Sequence, residues 1–184
     1  MASPAAPSSA LNHPTPTPPH QGEGNCRFPM PTLKVNRMTD EALIAAARQA
    51  ALSAYAPYSR FSVGCAIESV DGQIVTGVNV ENACYRLGVC AEQSALSAAQ
   101  LAFGLGKVAR IAVAGGNIQA GALGGEGTVT PCGGCRQAIL EAAQRSGRDV
   151  EIICSSGDGA RIERHSISTL IPNGFGPANL KDAR

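Results

Sequence analysis

The sequence predicts an α/β fold: a sheet with parallel strand pairs and helices packed on its faces. Three observations carry that expectation. Apolar residues recur at helical spacing in three stretches, and alternate or run together in the stretches between them. The order reads helix, hairpin, helix, strand, helix, strand, and strands joined through helices favour parallel pairs with the helices covering the sheet. At 184 residues the chain has room for one domain with a sizeable core.

The elements follow in order. Residues 1–37 are dominated by Pro, Ala, Ser and Thr, with Thr15-Pro16 and Thr17-Pro18 in succession. Such a stretch buries too little apolar surface to offset its ordering entropy and is expected to be a disordered leader. A transit peptide is an alternative, but one is rich in Arg and this stretch has none before Arg27; it also fits upstream sequence translated from a start placed too early. The domain is expected to span 38–184, with Met38 a natural beginning.

A first helix is expected from about Asp40 to Ala54. Thr39 is its N-cap, Asp40 and Glu41 suit the positive end of the dipole, and Pro57 stops it. Val63, Cys65 and Ile67 alternate as a strand, Asp71-Gly72 signals a hairpin, and Gln73 to Val80 returns. A second helix runs from about Cys90 to Phe103. Ile111 to Ala114 is a short buried strand, and Gly115 to Thr130, with six Gly, is expected to be a flexible loop. A third helix starts near Cys132. Val150 to Cys154 and Ile162 to Ser166 close the set of strands.

Composition narrows the function. Net charge is +1 with no block of Lys and Arg, against a nucleic-acid surface. No apolar run is long enough to span a bilayer, and the N-terminus lacks a secretory signal's apolar stretch. A cytoplasmic setting follows. There the seven Cys stay reduced, and metal binding or catalysis is favoured over a disulfide framework. With no Trp, four Phe and three Tyr, the core must be aliphatic and rich in Ala.

Two segments carry the chemistry: Cys90-Ala91-Glu92 and Pro131-Cys132-Gly133-Gly134-Cys135. Three thiolates hold one zinc ion in three corners of a tetrahedron and leave the fourth for water, the arrangement of a catalytic rather than a structural site. Both segments fall where a loop becomes a helix, and the unpaired N–H groups and dipole of a helix start stabilise a thiolate. Cys132 and Cys135 stand three apart on one face of the first turn. Zinc lowers the pKa of bound water towards about 7, and Glu92 is placed to take that proton and deliver it to a substrate. A ligand-x-Glu followed by Pro-Cys-x-x-Cys is the known layout of zinc deaminases acting on nucleobases.

Other readings stand beside this one. A Cys-x-x-Cys also serves as a redox pair. A closed structural zinc needs a fourth ligand, and the His are poorly placed: His13 and His20 lie in the leader, His165 near the end of the last strand. Cys65, Cys84 and Cys154 read as small buried hydrophobes at strands or a strand end. Cys26 lies in the leader.

The sequence resembles the homotetrameric zinc-dependent cytidine deaminases over about Met38 to Leu180. The resemblance rests on Tyr55-Ala56-Pro57-Tyr58-Ser59-Arg60-Phe61, Asn79-Val80-Glu81-Asn82-Ala83, Cys90-Ala91-Glu92, Pro131-Cys132-Gly133-Gly134-Cys135-Arg136-Gln137, and Leu170-Ile171-Pro172-Asn173-Gly174-Phe175-Gly176-Pro177. It implies a three-layer α/β/α sandwich with a mixed five-stranded sheet. It implies one zinc per subunit on Cys90, Cys132 and Cys135, with Glu92 as proton shuttle. It implies that Asn79 and Glu81 hold the ribose 3′-hydroxyl and that Phe61 packs on the pyrimidine. Phe175 of a neighbouring subunit would cover the base, and Ala83 and Tyr85 would lie near the site, so that active sites are shared in a homotetramer.

The activity implied is hydrolytic deamination of cytidine and deoxycytidine, with hydroxide attack at C4 and loss of ammonia, in pyrimidine salvage. A deaminase of another cytosine nucleoside, such as blasticidin S, and a non-catalytic zinc scaffold are the alternatives; Glu92 speaks against the scaffold. One position departs from the family, which usually has Arg after Cys-Ala-Glu where this chain has Gln93. Three thiolates and Zn²⁺ sum to a net negative charge that Gln93 cannot neutralise, which leaves Arg136 and the helix starts to compensate.

Overall fold

The computed structural model describes residues 37–181. Helix α1 (Asp40–Ala51) begins as its sequence dictates: the Thr39 hydroxyl accepts the Ala42 N–H at 3.2 Å. The hairpin β1 (Ser62–Ser69) and β2 (Ile74–Val78) follows, then α2 (Ala91–Ala102), β3 (Val108–Gln119), β4 (Ala122–Gly124), α3 (Gly133–Ser146), β5 (Glu151–Ser156) and β6 (Ile162–Ser166). Short helices α4 (Ile167–Leu170) and α5 (Ala178–Lys181) end the described chain. No helix among the described residues is long and apolar enough to cross a membrane.

The sheet runs β2-β1-β3-β5-β6, with β4 paired to the end of β3. The β3–β5 pair is parallel, joined through α3; the other pairs are antiparallel. The expected five-stranded mixed sheet is therefore the main path, and β4 is a short sixth strand.

Successive residues of a strand point to opposite faces, and both faces are apolar. Ala66, Ala112, Ala114 and Ile153 meet Leu43, Ala47 and Ala51 of α1. Cys65, Ile67, Ile111, Val113, Ile152 and Cys154 meet Ala95 and Ala99 of α2 and Ile139 and Ala142 of α3. These are the three expected layers, packed with the Ala-rich core that the composition requires.

Two glycines set how closely the helices approach. A side chain on Gly64 would run into the Ala47 carbonyl of α1, and one on Gly77 would overlap Ala95 N and come within 2.6 Å of the Ala91 carbonyl. Gly77 thus lets the first turn of α2 lie directly on β2, which matters because Cys90 and Glu92 stand there.

The start of the described chain is held by an ionic cluster. Arg110 Nε donates to the buried Glu68 carboxylate at 2.7 Å, its Nη1 to Asp40 at 2.7 Å and its Nη2 to the Met38 carbonyl at 2.6 Å. Met38 N–H donates to Glu68 at 2.8 Å, and Arg164 adds two bonds to Asp40. Glu68 and Arg110 face each other across β1 and β3.

Three expectations are corrected. Gly115 to Thr130 is not an unstructured loop: β3 continues to Gln119, and Ala120-Gly121, both at positive φ (49° and 79°), turn the chain into β4. Gly115 and Gly116 sit inside the strand because a Cβ would meet the Phe61 ring and Val129 at the first and the Gly124 carbonyl at the second. Cys84 is exposed rather than buried, because it lies in the loop after β2; Cys65 and Cys154 are buried as expected. Helix α1 stops at Ala51, three residues early, and β2 stops at Val78. The leader 1–37, with His13, His20 and Cys26, lies almost wholly outside the described residues.

Candidate metal centre and its pocket

The loops around the site are fastened to one another by backbone bonds. Tyr55 N–H donates to the Asn79 carbonyl at 3.0 Å, and Glu81 N–H to the Tyr55 carbonyl at 2.8 Å. Val80 and Val89 exchange both bonds at 2.9 Å. Val89 precedes Cys90, so the position of the first thiol is fixed by the strand end that carries Asn79.

Cys90 occupies the N-cap position of α2 and Cys132 that of α3, and neither side chain caps its helix. Cys135 is buried in the first turn of α3. Among the described residues these three form the one group of three or more His, Cys, Asp or Glu side chains placed to share an ion, with sulfurs within 4.8 Å of one another. Cys132 Sγ lies 3.5 Å from Cys135 Sγ and 4.0 Å from Cys90 Sγ. Tetrahedral zinc with bonds of about 2.3 Å spaces its sulfurs by about 3.8 Å, so the donor set fits.

The electrostatics point the same way. Burial, then the charge of Glu92, pushes the Cys135 thiol far up. Cys90 is raised as well, first by burial. At Cys132 burial also acts upward, but N–H groups of Cys135 and Gly134 and the neighbouring thiols outweigh it and bring the thiol below its ordinary value. Three thiols this close resist joint ionisation; a divalent cation reverses that preference.

Glu92 is only 4% exposed. Burial raises its carboxyl above the usual range. A cavity of about 280 Å³ opens beside it, lined by Phe61, Asn79, Cys90, Glu92, Thr130 and Cys132 among others. This brings together the ion site, the carboxylate, the aromatic ring and the amide named from the sequence.

Other expected residues stand apart. Glu81 lines a neighbouring cavity of about 380 Å³ with Tyr58, Ser59, Asn82 and Tyr85. Its carboxylate accepts Tyr58 N–H at 2.9 Å, Ser59 N–H at 3.1 Å and the Ser59 hydroxyl. The Ser59 hydroxyl bond, joined by the two backbone bonds, outweighs desolvation and lowers its pKa. Tyr85 is 80% exposed and meets Tyr58 edge-on at 5.9 Å. Ala83 is exposed on the same loop. Phe175 is 60% exposed in the C-terminal segment and does not line the thiol cavity. Gln93 is exposed on α2 facing Gly134. Arg136 binds two backbone carbonyls, those of Pro131 and Leu170. His165 lies in β6, 3.4 Å from Glu163, outside the thiol group.

Sequence reasoning missed Ser59, Val129 and Thr130. Ser59 lines both cavities, and Val129 and Thr130 wall the thiol cavity. The β-branched run Thr128-Val129-Thr130 was the available signal for extended chain, and Thr128 does bridge to Ser156.

Comparison with known proteins agrees with this geometry. The family model described as the cytidine and deoxycytidylate deaminase zinc-binding region matches residues 37–147. A cytidine deaminase of Sporosarcina psychrophila is 36% identical over 146 residues, covering 79% of this chain and 98% of the relative. One from Mycobacterium tuberculosis is 37% identical over 140 residues, covering 75% and 90%. The crystal structure of cytidine deaminase from Burkholderia pseudomallei superposes with a TM-score of 0.65 at 39% identity, covering 75% of this chain and all of that one. With the family model spanning more than half of the chain, and relatives matched over nearly their whole length, the chain belongs to the cytidine and deoxycytidylate deaminase family defined by that zinc-binding region.

Proposed function

We propose that this chain is a zinc-dependent cytidine deaminase, converting cytidine and deoxycytidine with water to uridine or deoxyuridine and ammonia, in pyrimidine salvage. The observation that carries the reading is the buried Glu92 in the same cavity as Cys90 and Cys132. A zinc scaffold has no use for a buried carboxylate there.

Cys90, Cys132 and Cys135 hold the metal. When bound, zinc supplies the Lewis acidity that makes water a nucleophile near neutral pH. The chain's own residues do the rest. Glu92 moves protons: its carboxylate takes one from the attacking water and passes it to the pyrimidine ring nitrogen, then takes the second from the C4 hydroxyl of the tetrahedral adduct and delivers it to the departing amine, leaving the C4 carbonyl and ammonia. Burial that raises its pKa brings it nearer the operating pH, where a group that both accepts and donates is most effective. Phe61 packs against the base. Asn79 Oδ1 accepts Val63 N–H at 2.8 Å and its Nδ2 donates to the Phe61 carbonyl at 3.0 Å, which fixes the amide and leaves one N–H for the sugar 3′-hydroxyl. Glu81 holds the same hydroxyl from the adjacent cavity and keeps the Tyr58–Ser59 turn in place. Arg136 and the helix starts offset the cluster's charge, which the neutral Gln93 cannot do.

The working form is a homotetramer in which Phe175 covers the base in a neighbour's site, with Ala83 and Tyr85 near the site. Exposed Tyr55, Tyr58, Val80, Tyr85, Leu87 and Val89 lie on the segments around the pocket mouth, apolar surface that a neighbouring subunit would cover. Three reduced thiols suit the cytoplasm. Residues 38–184 form the catalytic domain and 1–37 a dispensable leader.

Purified protein incubated with cytidine, deoxycytidine, CMP and blasticidin S, followed by loss of cytosine absorbance, tests the assignment. Turnover of the two plain nucleosides is expected. Turnover of blasticidin S alone moves the enzyme to the antibiotic.

A further inference from the structure

We infer that Arg136 and Gln137 are positioning residues that clamp the C-terminal segment carrying Phe175 to the thiol loop. Arg136 directly follows Cys135. Its Nε donates to the Pro131 carbonyl at 2.8 Å, just ahead of Cys132, and its Nη1 donates to the Leu170 carbonyl at 3.0 Å. One planar guanidinium therefore spans the loop and the segment. Gln137 Nε2 donates to the Phe175 carbonyl at 2.6 Å.

The packing beneath these bonds is tight. A Cβ on Gly174 would come within 2.5 Å of Leu140 Cδ2, and one on Gly176 would overlap the Gln144 amide. Leu170 and Ile171 pack on the core, and Asn173 takes a left-handed turn at φ 59°. Yet the Phe175 side chain remains mostly exposed while its carbonyl is tied down. An exposed ring on pinned backbone presents itself to something outside its own pocket. The metal loop and the presented ring thus keep one fixed relation through two adjacent residues of α3.

The functional half of this inference rests on the reading that Phe175 covers a base in a neighbour's site. The structural half does not. A purely electrostatic role for Arg136 needs only its charge, whereas the clamp needs the fork. Lys carries the charge but is a point donor without the planar geometry that serves two carbonyls at once.

Arg136→Lys and Gln137→Met, as zinc-loaded full-length chains, are compared with wild type in zinc content, amide hydrogen exchange across residues 170–176, and kcat and KM for cytidine. The clamp predicts full zinc, exchange faster by about five- to tenfold, the scale of one lost hydrogen bond acting on local opening, and a rise in KM that exceeds the fall in kcat. Gln137→Met keeps the test decisive if Arg136→Lys loses zinc. Wild-type exchange in both variants overturns the clamp. Wild-type exchange and KM in Arg136→Lys assigns that residue to charge compensation and overturns its positioning role. Faster exchange with unchanged KM upholds the clamp and removes Phe175 from the proposed site, so the two readings fail separately.

Discussion

Glu92 and the three thiols depend on one another at the level of single atoms. The carboxylate contributes to the raised thiol pKa of Cys90 and Cys135, while hydrogen bonds within the thiol group help lower Cys132, so the three sulfurs and the carboxylate act as one set. Replacing one ligand should therefore remove the ion rather than weaken it slightly. Cys132→Ala is expected to lose zinc and to lower thermal stability, because the metal's binding is linked to folding; a full zinc complement by elemental analysis would contradict the ligand set. Glu92→Gln keeps the shape but cannot accept a proton. It should keep zinc and fold while kcat falls by at least about 10²–10⁴-fold, the usual contribution of a general acid–base group; wild-type kcat would remove Glu92 from the mechanism.

Elements place these residues, and here the close approach of α2 to β2 decides the geometry. Gly77→Ala forces a methyl group into the backbone of Ala91 and Ala95. We expect a loss of about 1–3 kcal/mol of stability from overpacking, read by denaturant midpoint, together with weaker zinc retention, because the displaced turn carries Cys90 and Glu92. Destabilisation with unaltered zinc affinity would show that α2 moves as a rigid unit. The helix starts were legible in the sequence because Thr39 at α1, the Cys-bearing starts of α2 and α3 and the apolar spacing agree, while Pro57 misled on the end of α1, which stops at Ala51. The β3–β4 hairpin was not. Glycine marks both loops and close backbone packing, and sequence alone does not tell Gly115 and Gly116, crowded by Phe61 and Gly124, from turn glycines. Glu81 shows the same limit at the site: its motif is readable, but its three bonds to Tyr58 and Ser59 depend on a loop fold that spacing does not encode.

At the scale of the whole molecule, the Glu68–Arg110–Asp40–Arg164 cluster joins the first described residues to three strands, β1, β3 and β6. Arg110→Met leaves the fully buried Glu68 without its main partner and should cost about 3–5 kcal/mol, measured by chemical denaturation. Asp40 adds a pH dependence. Hydrogen bonds from Arg164, then the charges of Arg164 and Arg110, hold its carboxyl below the ordinary 3.8 despite burial. A folded value below the unfolded one gives stability that is complete above the unfolded pKa and lost as pH falls through the folded one. Asp40→Asn should therefore be destabilising at neutral pH and nearly neutral in strong acid. A chain begun at Met38 should retain activity, since Glu68 and Arg110 hold residue 38 through bonds made within the domain; a large loss on truncation would show that the leader packs on the domain. The most direct measurement of the central claim is ammonia and uridine formed from cytidine by protein of known zinc content. One zinc per chain, with ammonia and uridine released in equal amounts, is the expected result. A full zinc complement with no ammonia from any cytosine nucleoside would contradict the account and leave a zinc-bound scaffold in its place.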